Sequence, residues 1–461
     1  MEKIVLIHVT VLLLFSSWAF GGNIGWARLS LSIWATFAPV LTVTACLQHG
    51  QRGRDARSKL PWLIPGVLYA TLVILSAFNP SFDRVVSEGE VLMIHKGPSW
   101  PGWPSSVAPR ASLVSLWFGA GVYLSAFNLA ATLRARRLLR FIFIVIATNT
   151  LVLAVFGTIQ KLSASGYYFG TVVSPNPRFF STFIYNNHWG AFMMLGLFVS
   201  AGLLFYYARR QQGRDVWHSP LSAAIVGILI IAASAPVSAS RAATAMAALL
   251  VAGGTAHALV KIAAARRRES RSAAPAIALL LALVLAATTA VGWLSLRSIN
   301  ERYTETRAAL ADNRSIWSGR LELYHDTVDL FWKKPAFGWG LDSYGIAFQL
   351  IRPRPLQTYR QYESSYATAH NDWLQSLAET GVVGTLLLLL GIILPLTGLP
   401  LRQLAHPLTT YPVCGLVMVL LYALIEFPFS SGAFLITFWI LFFTTLKHAK
   451  LTESSISLRH E

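Results

Sequence analysis

Long apolar runs with almost no charged residues recur along the chain, and they constrain its fold more than any other feature. Each run is long enough to cross the roughly 30 Å hydrocarbon layer of a bilayer as an α-helix. Of the 461 residues, 54% are hydrophobic and only 13% are charged, against about 25% in soluble domains. The sequence predicts an all-α polytopic membrane protein with about twelve transmembrane helices. We place these helices at 4–20, 29–47, 60–78, 111–132, 141–159, 189–207, 221–237, 242–262, 273–296, 382–400, 411–429 and 432–446.

The positive charge of the chain is concentrated in short loops on one side of the predicted bundle. More than half of the 38 Lys and Arg residues lie in these loops and in the termini, as in "QRGRDARSK", "TLRARRLLR" and "KIAAARRRESR". Because basic short loops stay in the cytoplasm, both termini are predicted to be cytoplasmic. The net charge of +18 is thereby explained as a topology signal, and no nucleic-acid partner is predicted.

This topology divides the chain into three parts. Residues 1–296 form helices one to nine, with outer loops at 79–110 and 160–188. Residues 297–381 form one long outer segment between helices nine and ten. Residues 382–461 form helices ten to twelve and a cytoplasmic tail. Since most polar residues outside the basic loops gather on the outer side, we expect the functional site there.

The long outer segment has helical structure of its own. In "SGRLELYHDTVDLFWKK", residues 318–334, apolar side chains recur at helical spacing from Leu321 to Phe331, and Pro335 with the following glycines ends the helix. Within it, His325 and Asp329 are four residues apart and are metal-ligand types. The polar face of an amphipathic helix explains them better, so no metal site is predicted.

A second polar stretch, "YATAHNDWLQSLAETGVVG" at 366–384, directly precedes an apolar run. Helical spacing from His370 places Trp373, Leu374 and Leu377 on the same stripe, whereas Glu379 points elsewhere. His370 would then face the membrane domain at its outer rim, partly shielded from water. A neutral imidazole in that position is suited to act as a general base near pH 7. A packed, hydrogen-bonded histidine is the alternative that spacing alone leaves open.

Arginines on the outer side indicate an anionic substrate. Arg241 in "SASRAATAM" opens a predicted helix, and a helix N-terminus with an arginine favours anions. Arg178 lies in the outer loop before helix six, and Arg314 and Arg320 lie in the long segment. Guanidinium groups bind phosphate through two parallel hydrogen bonds and keep their charge. Each arginine singly is also explained as a lipid-headgroup contact or a topology anchor.

Five stretches together resemble one known family. "SGRLELYHDTVDLFWKKPAFGWGLDSYG" followed by "HNDWLQSLAETGVVG" is similar to the C-terminal signature of the O-antigen ligase and polymerase superfamily. "RFFSTFIYNNHWGAFMML", "SASRAATAM" and "LYALIEFPFSSGAFLITFWILF" resemble its upstream motifs and last helices. The resemblance spans roughly 178–446, and Ser181 stands where the family often has glycine.

The resemblance implies a GT-C-like glycosyltransferase of the bacterial inner membrane whose active site faces the periplasm. Such an enzyme takes a glycan from undecaprenyl diphosphate, and a ligase of this kind places it on lipid A-core, with inversion and without metal or cofactor. By the same resemblance, residues 297–381 are the catalytic loop and His370 is the base. The implied diphosphate and glycan set is Arg241, Arg178, Arg320, Arg314, Asn187 and Glu379.

Two other functions stay open at this point. A polymerase would join one carrier-linked glycan to another with the same base and arginines, and the single long outer loop favours the ligase. A transporter would place ionisable residues near mid-membrane and break its helices there. Inside the predicted spans we find only His8, His257 and Glu426 as candidates for such a role, which favours the enzyme.

Overall fold

The computed structural model describes most of the chain. It covers residues 1–87, 90–163, 166–210, 220–268, 318–351, 367–397, 399 and 401–457, with scattered positions between 272 and 307. The described chain is mostly helical, with helices α1 Glu2–Trp18, α2 Gly25–Ala35, α3 Ala38–Leu47, α4 Gln51–Arg57, α5 Ile64–Phe78, α6 Pro109–Thr132, α7 Arg136–Leu162, α8 Asn186–Ala208, α9 Pro220–Val237, α10 Arg241–Arg268, α11 Ser318–Lys333, α12 Tyr344–Ile351, α13 Asp372–Leu396, α14 Pro407–Tyr422 and α15 Gly432–Ser457.

Strands are confined, within the described residues, to two short antiparallel hairpins. The first pairs β1 Phe82–Ser87 with β2 Glu90–His95, and the second pairs β3 Tyr167–Tyr168 with β4 Val172–Val173. Both lie in segments that the sequence assigns to outer loops. Short 3₁₀ helices connect other elements, at Phe20–Gly22, Leu60–Leu63, Leu401–Ala405 and Pro428–Ser430.

Eight helices in the described part of the chain are long and apolar enough to cross a membrane. They are Gly25–Leu47, Gln51–Phe78, Pro109–Thr132, Arg136–Leu162, Asn186–Ala208, Arg241–Ala264, Asp372–Leu396 and Gly432–Thr452, and two shorter apolar helices are Leu221–Val237 and Pro407–Tyr422. The prediction of a mostly helical chain with many candidate membrane spans is confirmed. The number of twelve spans stays a prediction.

Helix α8 is one of the two most deeply buried candidate spans, together with the span in α15. Its glycines allow neighbouring helices to approach closely, as small residues do between membrane helices. A Cβ on Gly196 would lie 2.2 Å from Thr150 Oγ1 of α7, and one on Gly190 would lie 2.6 Å from Ala243 Cβ of α10. The N-terminus of α8 is therefore held beside the start of α10.

Helix α13 is interrupted at Gly381, whose φ of 66° is left-handed. The turn that follows α11 packs against this interruption, because the N–H groups of Val382 and Val383 donate to the carbonyls of Pro335 and Ala336 at 2.9 and 3.1 Å. A Cβ on Gly381 would lie 2.2 Å from the Ala336 carbonyl oxygen. The glycine is required both for its conformation and for this close approach.

The outer segments share a small hydrophobic cluster apart from the membrane bundle. It contains Val107 from the first outer loop and residues from α11 to α13, namely Leu323, Leu330, Trp339, Tyr344, Ala347, Phe348, Ala369 and Ala378. In α11 the buried stripe runs through Leu323, Thr327 and Leu330, whereas Leu321 is 61% exposed. The predicted helix and its end before Pro335 are confirmed. The predicted apolar stripe that starts at Leu321 is wrong, because the buried stripe starts at Leu323.

The predicted span 411–429 is shorter in the structure. Helix α14 ends at Tyr422, and residues 423–431 form an irregular connection that includes the 3₁₀ turn Pro428–Ser430. Glu426 lies in this connection, so its prediction as a residue inside a span is wrong. Pro428 lacks the N–H needed to continue the helix, and the carboxylate of Glu426 requires polar partners when buried.

Candidate functional site

Glu426 is the centre of a polar cluster at one end of the bundle. Its side chain is almost completely buried, and its Oε1 accepts hydrogen bonds from Arg320 Nη2 at 2.5 Å and from Asn187 Nδ2 at 2.7 Å. Its Oε2 lies 3.7 Å from Nδ1 of His370. One carboxylate thus gathers an arginine, an amide and an imidazole from three segments that are distant in sequence.

The amide of Asn187 connects this cluster to the start of α10. Its Oδ1 accepts a hydrogen bond from Ser240 Oγ at 2.6 Å. Ser240 precedes the first residue of α10, and its backbone oxygen and hydroxyl both bond to the first turn of that helix. Arg241 is the first residue of α10 and is exposed. The start of α10 therefore lies beside the Glu426 cluster, and Arg241 is the first residue of this helix N-terminus, where anions are favoured.

His370 lies immediately before α13 and not on its apolar stripe. Its φ is 50°, Asn371 is the N-cap whose side chain accepts from Leu374 N, and the helix begins at Asp372. The expectation that His370 continues the helical stripe of Trp373 is therefore wrong. Because Asn371 caps the N-terminus of the helix, the residues before it, including His370, do not follow helical spacing.

Packing and backbone bonds nevertheless fix the position of His370. The edge of its ring meets Phe427 with centroids 4.6 Å apart, and Tyr324 donates a hydrogen bond to its carbonyl at 3.0 Å. The N–H of Asp372 donates to the Ala423 carbonyl at 2.9 Å, which attaches the start of α13 to the connection that carries Glu426. The imidazole is 16% exposed, and its Nδ1 makes no hydrogen bond within the described part of the chain.

Aromatic residues form one wall of the cluster. Tyr185 stacks on Phe427 with centroids 5.3 Å apart, and the ring of His188 meets the same Phe427 at 4.9 Å. Burial raises the pKa of Tyr185, and the negative charge of Glu426 raises it further. Tyr185 therefore stays a neutral hydroxyl, which accepts a hydrogen bond from Asn187 at 2.9 Å.

The two remaining described arginines of the predicted set differ in their surroundings. Burial acts to lower the pKa of Arg320, but its ion pair with Glu426 outweighs burial and raises the pKa. Arg178 is exposed, and its carbonyl accepts a hydrogen bond from the Asn186 N–H at 3.1 Å. Arg178 thus lies at the N-terminus of α8, with its charge close enough to act on Tyr185.

Glu379 lies in a different environment from the residues around Glu426. Its carboxylate accepts hydrogen bonds from the backbone N–H groups of Asp342 at 2.8 Å and Tyr344 at 3.2 Å, and from Gln375 Nε2 at 3.0 Å. These contacts hold the turn before α12, and they give the carboxylate of Glu379 hydrogen-bond partners without a ligand. Arg314, the remaining predicted residue, lies outside the described residues.

Sequence reasoning left three residues out of the site, namely Glu426, Tyr185 and His188. Interpreting 411–429 as one continuous span hid Glu426, although an acid directly before "FPFSS" is a signal for a connection. His188 bonds to Ser430 Oγ through Nε2 at 3.1 Å and to Asn23 through Nδ1 at 3.3 Å. Both nitrogens are engaged, so His188 joins α8 to two connections instead of offering a base.

The acidic and histidine residues of α11 form a separate group. His325 Nδ1 lies 3.4 Å from Asp329 Oδ2 and 3.9 Å from Asp326 Oδ1, and the three side chains could hold a cation. His325 is exposed, whereas Asp326 is buried in the face that packs towards the small outer cluster. No residue of this group is in contact with Glu426 in the described structure.

The described helices and this cluster define a multi-pass membrane protein with a buried carboxylate, an imidazole and several arginines at one end of its bundle. Residues 226–389 match the family model Wzy_C, described as O-antigen ligase. This match supports membership of the O-antigen ligase superfamily, as the sequence motifs predict, and so indicates a membrane glycan enzyme of ligase or polymerase type. The matched region includes Arg241, Arg320 and His370. A search of curated proteins found no match.

Proposed function

We propose that this protein is a bacterial inner-membrane glycosyltransferase that transfers a glycan from undecaprenyl diphosphate to an acceptor hydroxyl at the periplasmic face. Ligation of O-antigen to lipid A-core is the reaction that we favour. The observation that carries the proposal is the arrangement of His370, Glu426 and Arg320 beside Arg241, in a chain that matches the O-antigen ligase family.

His370 acts in this proposal as the general base. Its Nδ1 faces Glu426 Oε2 at 3.7 Å, so an Nδ1–H tautomer leaves the lone pair of Nε2 for the acceptor hydroxyl. Proton transfer to Nε2 creates an imidazolium, and the adjacent carboxylate stabilises that charge. Phe427 and the Tyr324 bond to the backbone keep the ring in place while the acceptor binds.

The arginines act on the leaving group. As the acceptor oxygen bonds to the anomeric carbon, the bond from that carbon to the diphosphate oxygen breaks, and negative charge develops on the diphosphate. Arg241 and Arg178 are both exposed and supply positive charge that the diphosphate requires, while Arg320 is paired with Glu426. Positively charged donors placed where charge develops replace a metal and a general acid. Attack opposite to the leaving group inverts the anomeric carbon.

The test uses purified protein, a polyprenyl-diphosphate-linked glycan and two acceptors in separate reactions, with EDTA present throughout. One acceptor is lipid A-core, and the other is a second carrier-linked glycan. His370→Ala and Arg241→Ala are compared with His325→Ala and Arg84→Ala, which change the same residue types at exposed outer positions. Released polyprenyl diphosphate and glycan product are both measured.

We expect transfer in EDTA that His370→Ala and Arg241→Ala abolish and that the two control variants retain. Transfer only to lipid A-core supports the ligase, and transfer only to carrier-linked glycan supports a polymerase. Full activity of His370→Ala would remove the base assignment. Absence of wild-type activity in the presence of EDTA would indicate a metal requirement, for which the His325 group is the candidate site.

A further inference from the structure

A polar cavity lies at the end of the bundle opposite the Glu426 cluster. Helix α8 connects the two, since it begins next to Asn187 and ends just before Arg210, a distance on the order of 30 Å at 1.5 Å per residue. The cavity has a volume of about 220 Å³, below the roughly 300–1,000 Å³ of sites for drug-sized ligands. Its size suits a small charged group.

The described lining of this cavity is strongly basic. It includes three arginines and two histidines and no acidic residue, namely Arg136, Arg140, Arg210, His406 and His448. Arg136 and Arg140 lie one turn apart at the N-terminus of α7, where the helix dipole already contributes positive potential. Cations are unfavourable at that helix end, and an anion bound between them would offset their repulsion.

Tyr206 of α8 orders two of these arginines. Arg140 Nη1 donates to the Tyr206 hydroxyl at 2.5 Å, and the guanidinium of Arg210 stacks over the same ring at 4.5 Å from its centroid. Tyr206 is itself buried. A buried tyrosine that orders two arginines is a feature of a built site, because loose surface arginines lack such support.

His448 supplies an independent observation. Its side chain is 4% exposed, and its Nδ1 is buried with no hydrogen-bond partner within the described residues. His406 packs against it with ring centroids 4.9 Å apart, and His406 Nδ1 accepts from Leu408 N at 3.2 Å, which leaves Nε2 as its donor. Buried polar atoms in folded proteins almost always have a partner. A ligand oxygen in the cavity would supply one for His448.

We propose that this cavity binds a phosphate group, carried either by an anionic lipid headgroup or by a soluble phosphate. Arginine forks and imidazole N–H donors match the oxygens of a phosphate. Basic pockets between membrane helices on the cytoplasmic side are suited to anionic headgroups, and the distribution of basic loops predicts that side for this end of the bundle. The site is separate from the proposed transfer chemistry and does not depend on it.

The test measures bound phosphate groups on the purified full chain. Native mass spectrometry follows retention of phosphatidylglycerol against phosphatidylcholine, and a second arm titrates inorganic phosphate into delipidated protein in detergent. The variant pair is Arg136→Gln with Arg140→Gln. The matched control is Arg137→Gln, which removes the same charge from an exposed neighbour that does not line the cavity.

We expect the paired variant to lower phosphatidylglycerol retention by about tenfold or more, as the loss of charged hydrogen bonds implies, and Arg137→Gln to lower it less than twofold. Saturable phosphate binding that the pair removes would also support the site and assign it to a soluble ligand. Equal losses in the pair and in Arg137→Gln, equal retention of phosphatidylcholine, or no ligand in either arm would overturn the proposal. If the pair does not fold, Arg136→Gln alone, an exposed side chain, is compared with the same control.

Discussion

Replacing Glu426 with Gln tests how the carboxylate supports His370. The substitution keeps the shape of the side chain and removes its charge, which lies 3.7 Å from His370 Nδ1. Two unit charges at that distance attract by about 4 kcal/mol at an effective dielectric constant of about 20. At about 1.4 kcal/mol per factor of ten in rate, full loss of this attraction in the transition state would lower kcat by about 10³-fold. Allowing for partial compensation by water at the exposed edge of the ring, we expect kcat to fall by about 10²- to 10³-fold.

The assay is metal-free glycan transfer with saturating donor and acceptor, and folding is monitored by thermal unfolding of the purified protein. Asp83→Asn is the control, because it makes the same change in an exposed ion pair with Lys96 on the outer hairpin, where such pairs contribute little. A folded Glu426→Gln protein with kcat within about threefold of wild type would refute the imidazolium argument.

A double-mutant comparison separates two explanations for Arg320. If Arg320 acts mainly by holding Glu426, the two residues act as one unit. The double variant Arg320→Gln with Glu426→Gln will then have nearly the same kcat/KM as Glu426→Gln alone. If Arg320 binds the diphosphate directly, the two losses will multiply. The measured quantity is kcat/KM for the donor in the wild type and the three variants.

Three further outcomes follow from the structure. Gly381→Ala will lower the Tm, since alanine disfavours the left-handed backbone and its Cβ would meet the Ala336 carbonyl. Burial lowers the pKa of Lys334 to about 8, so labelling of this amine by an acylating reagent, read by peptide mass spectrometry, will rise through pH 8 and level off above pH 9. Ser240→Ala will remove the hydrogen bond to Asn187 and a helix cap, lowering stability by about 1 kcal/mol and donor affinity in the transfer assay.

Each of these outcomes has a contrasting case. Gly254→Ala lies in an open position of α10 and will leave the Tm unchanged or slightly raised, and a Tm drop as large as that of Gly381→Ala would contradict the steric argument. Lys334→Arg will remove the labelled peptide signal, and labelling that rises only near pH 10 would contradict the burial effect. Ser30→Ala removes a bond inside a single exposed turn and will leave donor affinity unchanged; equal affinity in Ser240→Ala would contradict its link to the site.

Local sequence rules predicted the elements of this protein well where a single segment determines the outcome. The apolar runs predicted most candidate spans, and Pro335 after "DLFWKK" predicted the end of α11. Helical spacing failed at His370, because the helix begins only after the Asn371 cap and His370 lies before that cap. The pattern "HND" contained that signal, since Asn before an apolar periodic stretch is a common N-cap.

The site itself was only partly predictable. The motifs of the resembled family pointed to His370, Arg320 and Asn187, and the fold gathers these three side chains around Glu426. The central position of Glu426 depends on the meeting of three segments in space, and no local pattern encodes such a meeting. Glu379 shows the converse, since an acid near a motif histidine is used to hold backbone N–H groups of a turn.

The position of Glu426 near the C-terminus has a consequence for biosynthesis. Ribosomes release the chain from its N-terminus onward, so Arg241, Arg320 and His370 enter the membrane before the residue that gathers them. The Glu426 cluster is completed only when α14, its connection and α15 have been inserted. A nascent or prematurely terminated chain therefore lacks the carboxylate that gathers Arg320 and His370, and the proposed transfer would begin only after the last helices have been inserted.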